Sequence, residues 1–286
     1  TDNRCVHSWP VGRRRPAVAE NSSGSLQAHL LCCADLYQHP LVQALLGESW
    51  HPGGLALTRA LAQEIRLGPG DHLLDVACGR GASALMLAQV FKCRVTGVDT
   101  NAEAIFQARK EARRYRLETP SASPIASDPD RDRGRSSGQA LVDFAQADAA
   151  SLAFPAATFS AELCECATSL FGDRRSALGE LARVLRPGGR LALSDVTFRP
   201  ESPPDWIDPS LAKALCIPLG MGPEKYVQLL EQAGFIVHRQ VDHSEAVAQL
   251  LGKVESLLGL GRTATHTPAL GGGSLGQAGA ALRHAR

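Results

Sequence analysis

The feature that most constrains this chain is a regular alternation of apolar, strand-like segments with amphipathic, helix-like segments. Strand segments are predicted at 72–77, 94–99, 142–148, 159–165, 190–196 and 235–241. Apolar residues at helical spacing lie between most of them, as in SALMLAQVF and RSALGELARVL. Because strands that are joined through helices pair in parallel, the pattern predicts an α/β fold with a doubly wound, mostly parallel sheet.

Polar segments flank and interrupt this pattern. Residues 1–25 are expected to form a disordered tail, 119–139 a flexible insertion and 262–286 a flexible tail, because they lack the apolar periodicity that repays ordering entropy. Residues 26–261, which include the insertion, are predicted to form a single domain. Two N-terminal helices, LLCCADLYQHPLVQALLG and GLALTRALAQEIRL, precede the first strand. After 235–241 the chain continues in a helical pattern, which leaves a seventh strand open.

Charge and cysteine content restrict the class of partner. The chain has 30 basic and 29 acidic residues with no basic stripe, so no nucleic-acid partner is expected. No apolar run of about 18 residues and no signal-peptide pattern is found, which predicts a cytoplasmic protein without a membrane partner. The 8 cysteines are expected to be reduced thiols, and their spacing is not that of a metal site. A small-molecule substrate fits best, and the oligomeric state is left open.

A glycine-rich turn follows the first strand, in the sequence DVACGRGASA. Gly79, Gly81 and Ala84 satisfy the G-x-G-x-x-G/A pattern between a strand and a helix. Glycine allows a sharp turn and the close approach of a ligand to the backbone. Asp99 lies 24 residues after Asp75 and ends the next strand, where a carboxylate can accept both hydroxyls of a ribose. These features suit either a nicotinamide nucleotide or S-adenosylmethionine.

Two later segments distinguish between these cofactors. In QADAASLAF, Asp148 precedes small and apolar residues that can hold an adenine ring, and Arg186-Pro187-Gly188-Gly189 makes the turn into the fifth strand. With LLDVACGRG and VTGVD, these motifs resemble those of class I S-adenosylmethionine-dependent methyltransferases over about residues 50 to 245. The resemblance implies a Rossmann-like methyltransferase fold, S-adenosylmethionine as cofactor and an enzyme that transfers methyl groups.

The resemblance also implies cofactor-binding residues. The methionine part of the cofactor would lie against Asp75, Ala77, Gly79, Arg80 and Gly81, the ribose against Asp99, and the adenine against Asp148 and Ala149. Ala77 replaces the first glycine of the family's D-x-G-x-G-x-G motif. Each carboxylate also has a purely structural alternative, as a turn or capping residue.

The segment ELCECATSL sets Cys164, Glu165 and Cys166 at the end of the fourth strand. From Leu163 onward the sequence resembles arsenite methyltransferases, in which a second thiol, here Cys216, precedes the helix before the sixth strand. That resemblance implies a trivalent arsenical held by Cys166 and Cys216, since arsenic(III) is a soft, thiophilic centre. Cys164 is predicted to be a packing residue.

Other residues are expected at the substrate side of the site. Cys32 or Cys33 could supply a third thiol, and Trp50 and His51 could close over the cofactor. The alternative acceptor is an oxygen, nitrogen or carbon nucleophile of quinone or natural-product type, for which Glu165, Asp195 or His51 would be the base. All the cysteines have core packing as a structural alternative. A nicotinamide-dependent reductase and a non-catalytic cofactor-binding subunit are further alternatives.

Overall fold

The computed structural model describes residues 51–117, 141–198, 221–257 and 275–284. Seven strands occur within these ranges: β1 (His72–Val76), β2 (Arg94–Asp99), β3 (Leu141–Gln146), β4 (Phe159–Glu165), β5 (Leu185–Phe198), β6 (Phe235–Asp242) and β7 (Leu275–His284). They form one sheet in the order β3-β2-β1-β4-β5-β7-β6. The first five strands pair in parallel, whereas β7 is antiparallel to both β5 and β6. The predicted fold class is therefore confirmed.

Helices connect the strands as the sequence pattern predicts. The described residues contain α1 (Gly54–Glu64), α2 (Ala82–Phe91), α3 (Ala102–Arg114), α4 (Arg174–Val184), α5 (Pro223–Gln232) and α6 (Ser244–Leu257). Asn101 caps α3 by accepting from the Ala104 N–H, and Asp173 caps α4 by accepting from the Ser176 N–H. None of these helices combines the length and apolar composition needed to span a lipid bilayer.

The central strands β1, β2 and β4 are buried between two apolar layers. On one face, Leu74 and Leu191 pack with Leu181 of α4 and Leu230 of α5. A second cluster contains residues from α1, α2 and α3, among them Leu61, Leu87 and Ile105. Central parallel strands that are covered on both faces read as nearly continuous apolar runs, which explains why β1, β2 and β4 were predictable.

The C-terminal segment differs from the prediction. A flexible tail is predicted over 262–286, whereas the structure has Leu275–His284 as β7, which pairs with β5 from Leu275 to Arg283. Its Gly- and Ala-rich sequence has no alternation of large apolar residues that would indicate a strand. The predicted tail 1–25, the insertion 119–139 and the first predicted N-terminal helix lie outside the described residues.

The RPGG turn lies inside β5 as a bulge. Leu185 pairs with Phe159 of β4, and pairing resumes with Arg190 opposite Ala161. Residues 186–189 are therefore not paired with β4. Gly188 has a φ of 72° at this point. The bulge lets the strand continue into the segment LALSDV.

Glu162 is an exception in the apolar core. It lies in β4, is fully buried, and neither of its carboxylate oxygens has a hydrogen-bond partner among the described residues. Burial raises the pKa of Glu162 well above its ordinary range, because the charged form is poorly solvated. The folded protein therefore holds this proton more tightly than the unfolded chain.

This burial predicts a pH-dependent cost in stability. For an acid whose pKa is raised on folding, stability is lost as pH rises above the unfolded value of about 4.3. Glu162→Gln is therefore expected to raise the free energy of unfolding at pH 8 by about 1–3 kcal/mol, and by less at pH 5. Urea denaturation at both pH values measures this difference. Glu231→Gln on the exposed surface of α5 is the control, and equal stability of wild type and Glu162→Gln at pH 8 would contradict the account.

Candidate active site

A cavity of about 310 Å³ lies at the carboxyl ends of β1, β2 and β4. In open α/β sheets this edge, beside the strand where the winding direction reverses, is where ligands bind. The cavity is lined by ten of the residues that the sequence analysis singled out: His51, Asp75, Ala77, Gly79, Arg80, Asp99, Asp148, Ala149, Glu165 and Cys166. The fold therefore brings most of the predicted site together.

The turn after β1 holds Asp99 at the cavity edge. The Gly79 N–H donates to Oδ2 of Asp99 at 2.9 Å, and the Asn101 N–H donates to Oδ1 at 2.8 Å. Gly79 has a φ of 54°, and a Cβ placed on it would meet no atom within 4 Å, so its backbone faces open space. Both Asp99 oxygens are fixed by backbone donors, and each retains acceptor capacity toward the cavity.

Two other positions in this turn behave differently. Ala77 has a φ of 58°, a left-handed conformation that costs a non-glycine residue about 1–2 kcal/mol. Gly81, which was predicted to bind the cofactor, is absent from the cavity lining. A Cβ on Gly81 would lie 2.5 Å from the ring of Phe144. The last glycine of the motif is therefore required for packing between α2 and β3.

Asp75 is a buried carboxylate whose Oδ2 has no hydrogen-bond partner within the described ranges. Burial raises the pKa of Asp75 well above its ordinary range, and the negative charges of Glu165 and Asp99 raise it further. Asp148 is more exposed, and its Oδ1 accepts from the Ala150 N–H at 2.9 Å in the turn-type contact expected as its structural alternative. These carboxylates together make the cavity suited to a cationic ligand.

Glu165 ends β4 and is held by side chains from distant parts of the chain. Its Oε2 lies 2.9 Å from Thr58 Oγ1, 3.1 Å from Ser83 Oγ and 3.4 Å from His51 Nε2. Burial raises the pKa of Glu165, while the His51 ring and the two hydroxyl groups oppose that rise. Neither Thr58 nor Ser83 was predicted, because they lie 107 and 82 residues from Glu165 and belong to no motif.

The two cysteines of ELCECATSL are not equivalent. Cys164 is fully buried in the core, where burial raises the pKa of its thiol, and its Sγ lies 3.9 Å from Thr168 Oγ1. Cys166 follows the end of the strand, has a φ of 49° and lines the cavity. The other predicted site residues, Cys32, Cys33, Trp50 and Cys216, lie outside the described residues. Within those residues no group of at least three His, Cys, Asp or Glu side chains is placed to hold a metal ion.

Another part of the cavity lining is a short, mostly apolar segment, called the apolar wall below. Leu170, Phe171 and Gly172 form it, and a 3-10 turn (Thr168–Leu170) leads into it. Arg174 donates to the carbonyls of Thr168 and Ser169 at 3.0 and 2.9 Å. These contacts fix the turn, so the wall has a defined position.

Asp195 supports the same turn and is not placed as a base. Its Oδ2 accepts from the Ser169 N–H at 3.1 Å and its Oδ1 from the Val196 N–H at 2.9 Å. Burial raises the pKa of Asp195 to about 6, against hydrogen bonds that lower it. Asp195 is not part of the cavity lining, in contrast to its candidate role in the sequence analysis.

Comparison with known proteins agrees with this geometry. Residues 74–193 match the family model of the methyltransferase domain. An O-methyltransferase of Pyrenophora dematioidea is 28% identical over 200 residues, which are 70% of this chain and 67% of that protein. The 27-O-demethylrifamycin SV methyltransferase of Amycolatopsis mediterranei (strain S699) is 32% identical over 172 residues, 56% of each chain. Residues 74–193 thus match a methyltransferase domain, and both relatives are named methyltransferases.

The fold comparison supports the same domain. A geranyl diphosphate C-methyltransferase from Streptomyces coelicolor A3(2), solved with Mg²⁺, geranyl diphosphate and S-adenosyl-L-homocysteine, superposes with a TM-score of 0.59 at 20% identity. The superposition covers 80% of this chain and 78% of that one. At 20% identity this similarity supports the fold alone. The predicted enzyme class and the cofactor of the methyltransferase domain, S-adenosylmethionine, are confirmed. The chain spans between about half and two thirds of the length of the two relatives above.

The position of Asp99 in the methyltransferase domain gives a direct test of cofactor binding. Asp99→Ala removes a charged acceptor at the cavity edge, so the affinity for S-adenosylhomocysteine is expected to fall more than about tenfold. Isothermal titration calorimetry measures the affinity, with thermal denaturation to confirm folding. Glu231→Ala, on the exposed face of α5, is the control. An unchanged affinity in Asp99→Ala would remove this residue from the ribose site.

Proposed function

We propose that this domain transfers the methyl group of S-adenosylmethionine to a hydroxyl oxygen of a small, natural-product-type molecule, with Glu165 as the proton acceptor. The observation that carries the proposal is the position of Glu165, a nearly buried carboxylate that lines the cavity and is held by His51, Thr58 and Ser83. Oxygen as acceptor agrees with the relatives described above, both of which are named for O-methylation.

The cavity suits the cofactor in charge and in shape. Asp75, with its unpaired buried oxygen, would accept from the ammonium group, and the open backbone at Gly79 would lie along the methionine part. Asp99 would bind the ribose hydroxyls, and Asp148 with Ala149 the adenine. A ligand that carries an ammonium and a sulfonium charge offsets the repulsion among Asp75, Asp99 and Glu165.

Methyl transfer from a sulfonium is a displacement in line with the breaking bond. The cofactor supplies an electrophilic methyl group. The acceptor oxygen forms a bond to the methyl carbon while the carbon–sulfur bond breaks and its electron pair stays on sulfur. The acceptor's proton passes to Glu165. A carboxylate whose pKa is raised by burial is a stronger base than an exposed one, which suits proton transfer from a hydroxyl group.

The shape of the cavity favours an acceptor with an apolar or aromatic body. Leu170 is partly exposed on the wall beside Phe171, and both lie on the same cavity as Glu165. An apolar ring packed on this wall would present its hydroxyl to the carboxylate. A ring bound in this way would keep water from the reacting atoms, as methyl transfer requires.

A thiol-bound arsenical is the weaker proposal. Cys166 lines the cavity, but the second thiol of the predicted pair, Cys216, lies outside the described residues. Of the two sequence relatives reported above, one is named an O-methyltransferase and the other a 27-O-demethylrifamycin SV methyltransferase. A nicotinamide-dependent reductase is disfavoured because residues 74–193 match a methyltransferase domain.

Glu165→Gln tests the proposed base. Glutamine preserves the size of the side chain but cannot take the acceptor's proton, so turnover is expected to fall about 10²–10⁴-fold. The assay supplies S-adenosylmethionine with a panel of phenols and apolar alcohols and measures S-adenosylhomocysteine release. Affinity for S-adenosylhomocysteine serves as the control for an intact cofactor site.

The competing acceptor is tested in the same assay. Arsenite with glutathione is offered to wild type, Glu165→Gln and Cys166→Ser. Little or no product from arsenite is expected with any of the three. Methylation of arsenite that survives Glu165→Gln and is lost in Cys166→Ser would overturn the proposed oxygen acceptor.

A further inference from the structure

The hydroxyl of Thr58 lies at the centre of the contacts around Glu165. Thr58 is fully buried in α1, and its Oγ1 lies 2.9 Å from Oε2 and 3.2 Å from Oε1 of Glu165. The same oxygen lies 3.3 Å from His51 Nε2 and 3.3 Å from Ser83 Oγ. A weaker contact of 3.4 Å reaches the carbonyl of Gly54. One hydroxyl therefore contacts both of the other side chains, His51 and Ser83, that lie against the carboxylate in the described part of the chain.

Only one of these contacts can use the hydroxyl proton of Thr58. A threonine hydroxyl has one proton to donate and two lone pairs to accept with. The shortest contact is to Oε2 of Glu165, and an ionised carboxylate is the strongest acceptor in the cluster. With the proton directed there, the lone pairs of Thr58 can accept from His51 Nε2 when that nitrogen carries a proton. Ser83 donates its own single proton to Oε2 of Glu165, so its 3.3 Å approach to Thr58 is a contact without a second donated proton.

His51 is held from both sides of its ring. Nδ1 lies 3.2 Å from the carbonyl oxygen of Pro52, which can only accept, and Nε2 faces Thr58 and Glu165. The Pro52 contact requires the proton on Nδ1, and Nε2 donates to Thr58 and Glu165 when the ring carries both protons. The acceptor capacity for a substrate lies on Glu165. Ser83 adds a second hydroxyl donor to Oε2 at 3.1 Å.

We infer, on the basis of the proposed oxygen methylation, that Thr58 is a positioning residue: with Ser83 it holds Oε2 of Glu165, so that Oε1 receives the acceptor's proton. The contacts among the described residues support this division, because three side chains lie within 3.4 Å of Oε2, whereas Oε1 has one contact, to Thr58 at 3.2 Å. The two hydroxyls also favour the ionised form, which is the form that acts as a base.

The charges around Glu165 decide the direction of the expected effect. Facing it are His51, from the segment before α1, Asp75, from β1, and the Cys164 thiol on its own strand. Burial disfavours the Glu165 carboxylate, whereas His51 and the two hydroxyls favour it. The repulsion between Glu165 and Asp75 raises the pKa of Asp75. Loss of a hydroxyl therefore raises the pKa of Glu165, and the acidic limb of the turnover profile moves to higher pH.

The test is the pH dependence of kcat for Thr58→Val and Thr58→Ser. Valine has the shape of threonine without the hydroxyl, so the acidic limb is expected to move up by about one pH unit. Thr58→Ser keeps the hydroxyl and is expected to keep the limb near the wild-type position. The matched control is Thr158→Val, which removes a hydroxyl bonded to the Pro155 carbonyl away from the cavity.

The outcomes separate this inference from the proposed function. If Glu165→Gln keeps wild-type turnover, the proposed base is wrong. If Glu165→Gln loses turnover while the limb stays fixed in Thr58→Val, or kcat falls equally at every pH, the positioning role is wrong. If Thr58→Val does not fold, Ser83→Ala tests the same role, because it removes the other hydroxyl that donates to Oε2. The acidic limb of its kcat profile is also expected to move to higher pH.

Discussion

The contacts to the Glu165 carboxylate connect parts of the chain that no local pattern relates. Burying a charge is costly unless hydrogen bonds and an opposite charge accompany it. Glu165 is accompanied by Thr58 of α1, Ser83 of α2 and His51, and the position of α1 against the sheet is therefore tied to this carboxylate. The same contacts place a base in the cavity. The position of α1 and the proposed proton transfer thus both depend on the Glu165 carboxylate.

The cofactor side of the cavity follows a different principle. Asp75 is buried with one oxygen unpaired among the described residues, close to Glu165 and Asp99. Such an arrangement costs stability until a cation completes it, and strain of this kind is concentrated at functional sites. Glu162 shows the contrast: it is equally buried and unpaired, but it lies within the core and not on the cavity. Burial alone therefore does not identify a ligand-binding carboxylate. Asp75 is distinguished from Glu162 because it lines the cavity.

The sequence predicted what periodicity and motif spacing determine. Strands β2 and β4 were predicted with their observed bounds, since buried parallel strands are continuous apolar runs. Asp99 and Glu165 followed from their places at strand ends, and Asp75 and Gly79 from the resemblance of the glycine-rich turn to the methyltransferase motif; all four line the cavity. Strand β7 escaped prediction because pairing on both edges, and not side-chain alternation, defines it. The packing role of Gly81 and the contacts of Thr58 and Ser83 depend on tertiary neighbours far away in the sequence.

The central claim is that buried carboxylates in this cavity await a cationic cofactor, and proton exchange on binding tests it most directly. Calorimetric titration with S-adenosylmethionine, in buffers of different ionisation enthalpy between pH 5 and 8, measures the protons exchanged. Because burial raises the pKa of Asp75 and an arriving ammonium group would favour its ionised form, binding is expected to release protons. Asp75→Asn is expected to lose most of this release. Binding that exchanges no protons at any of these pH values would contradict the account.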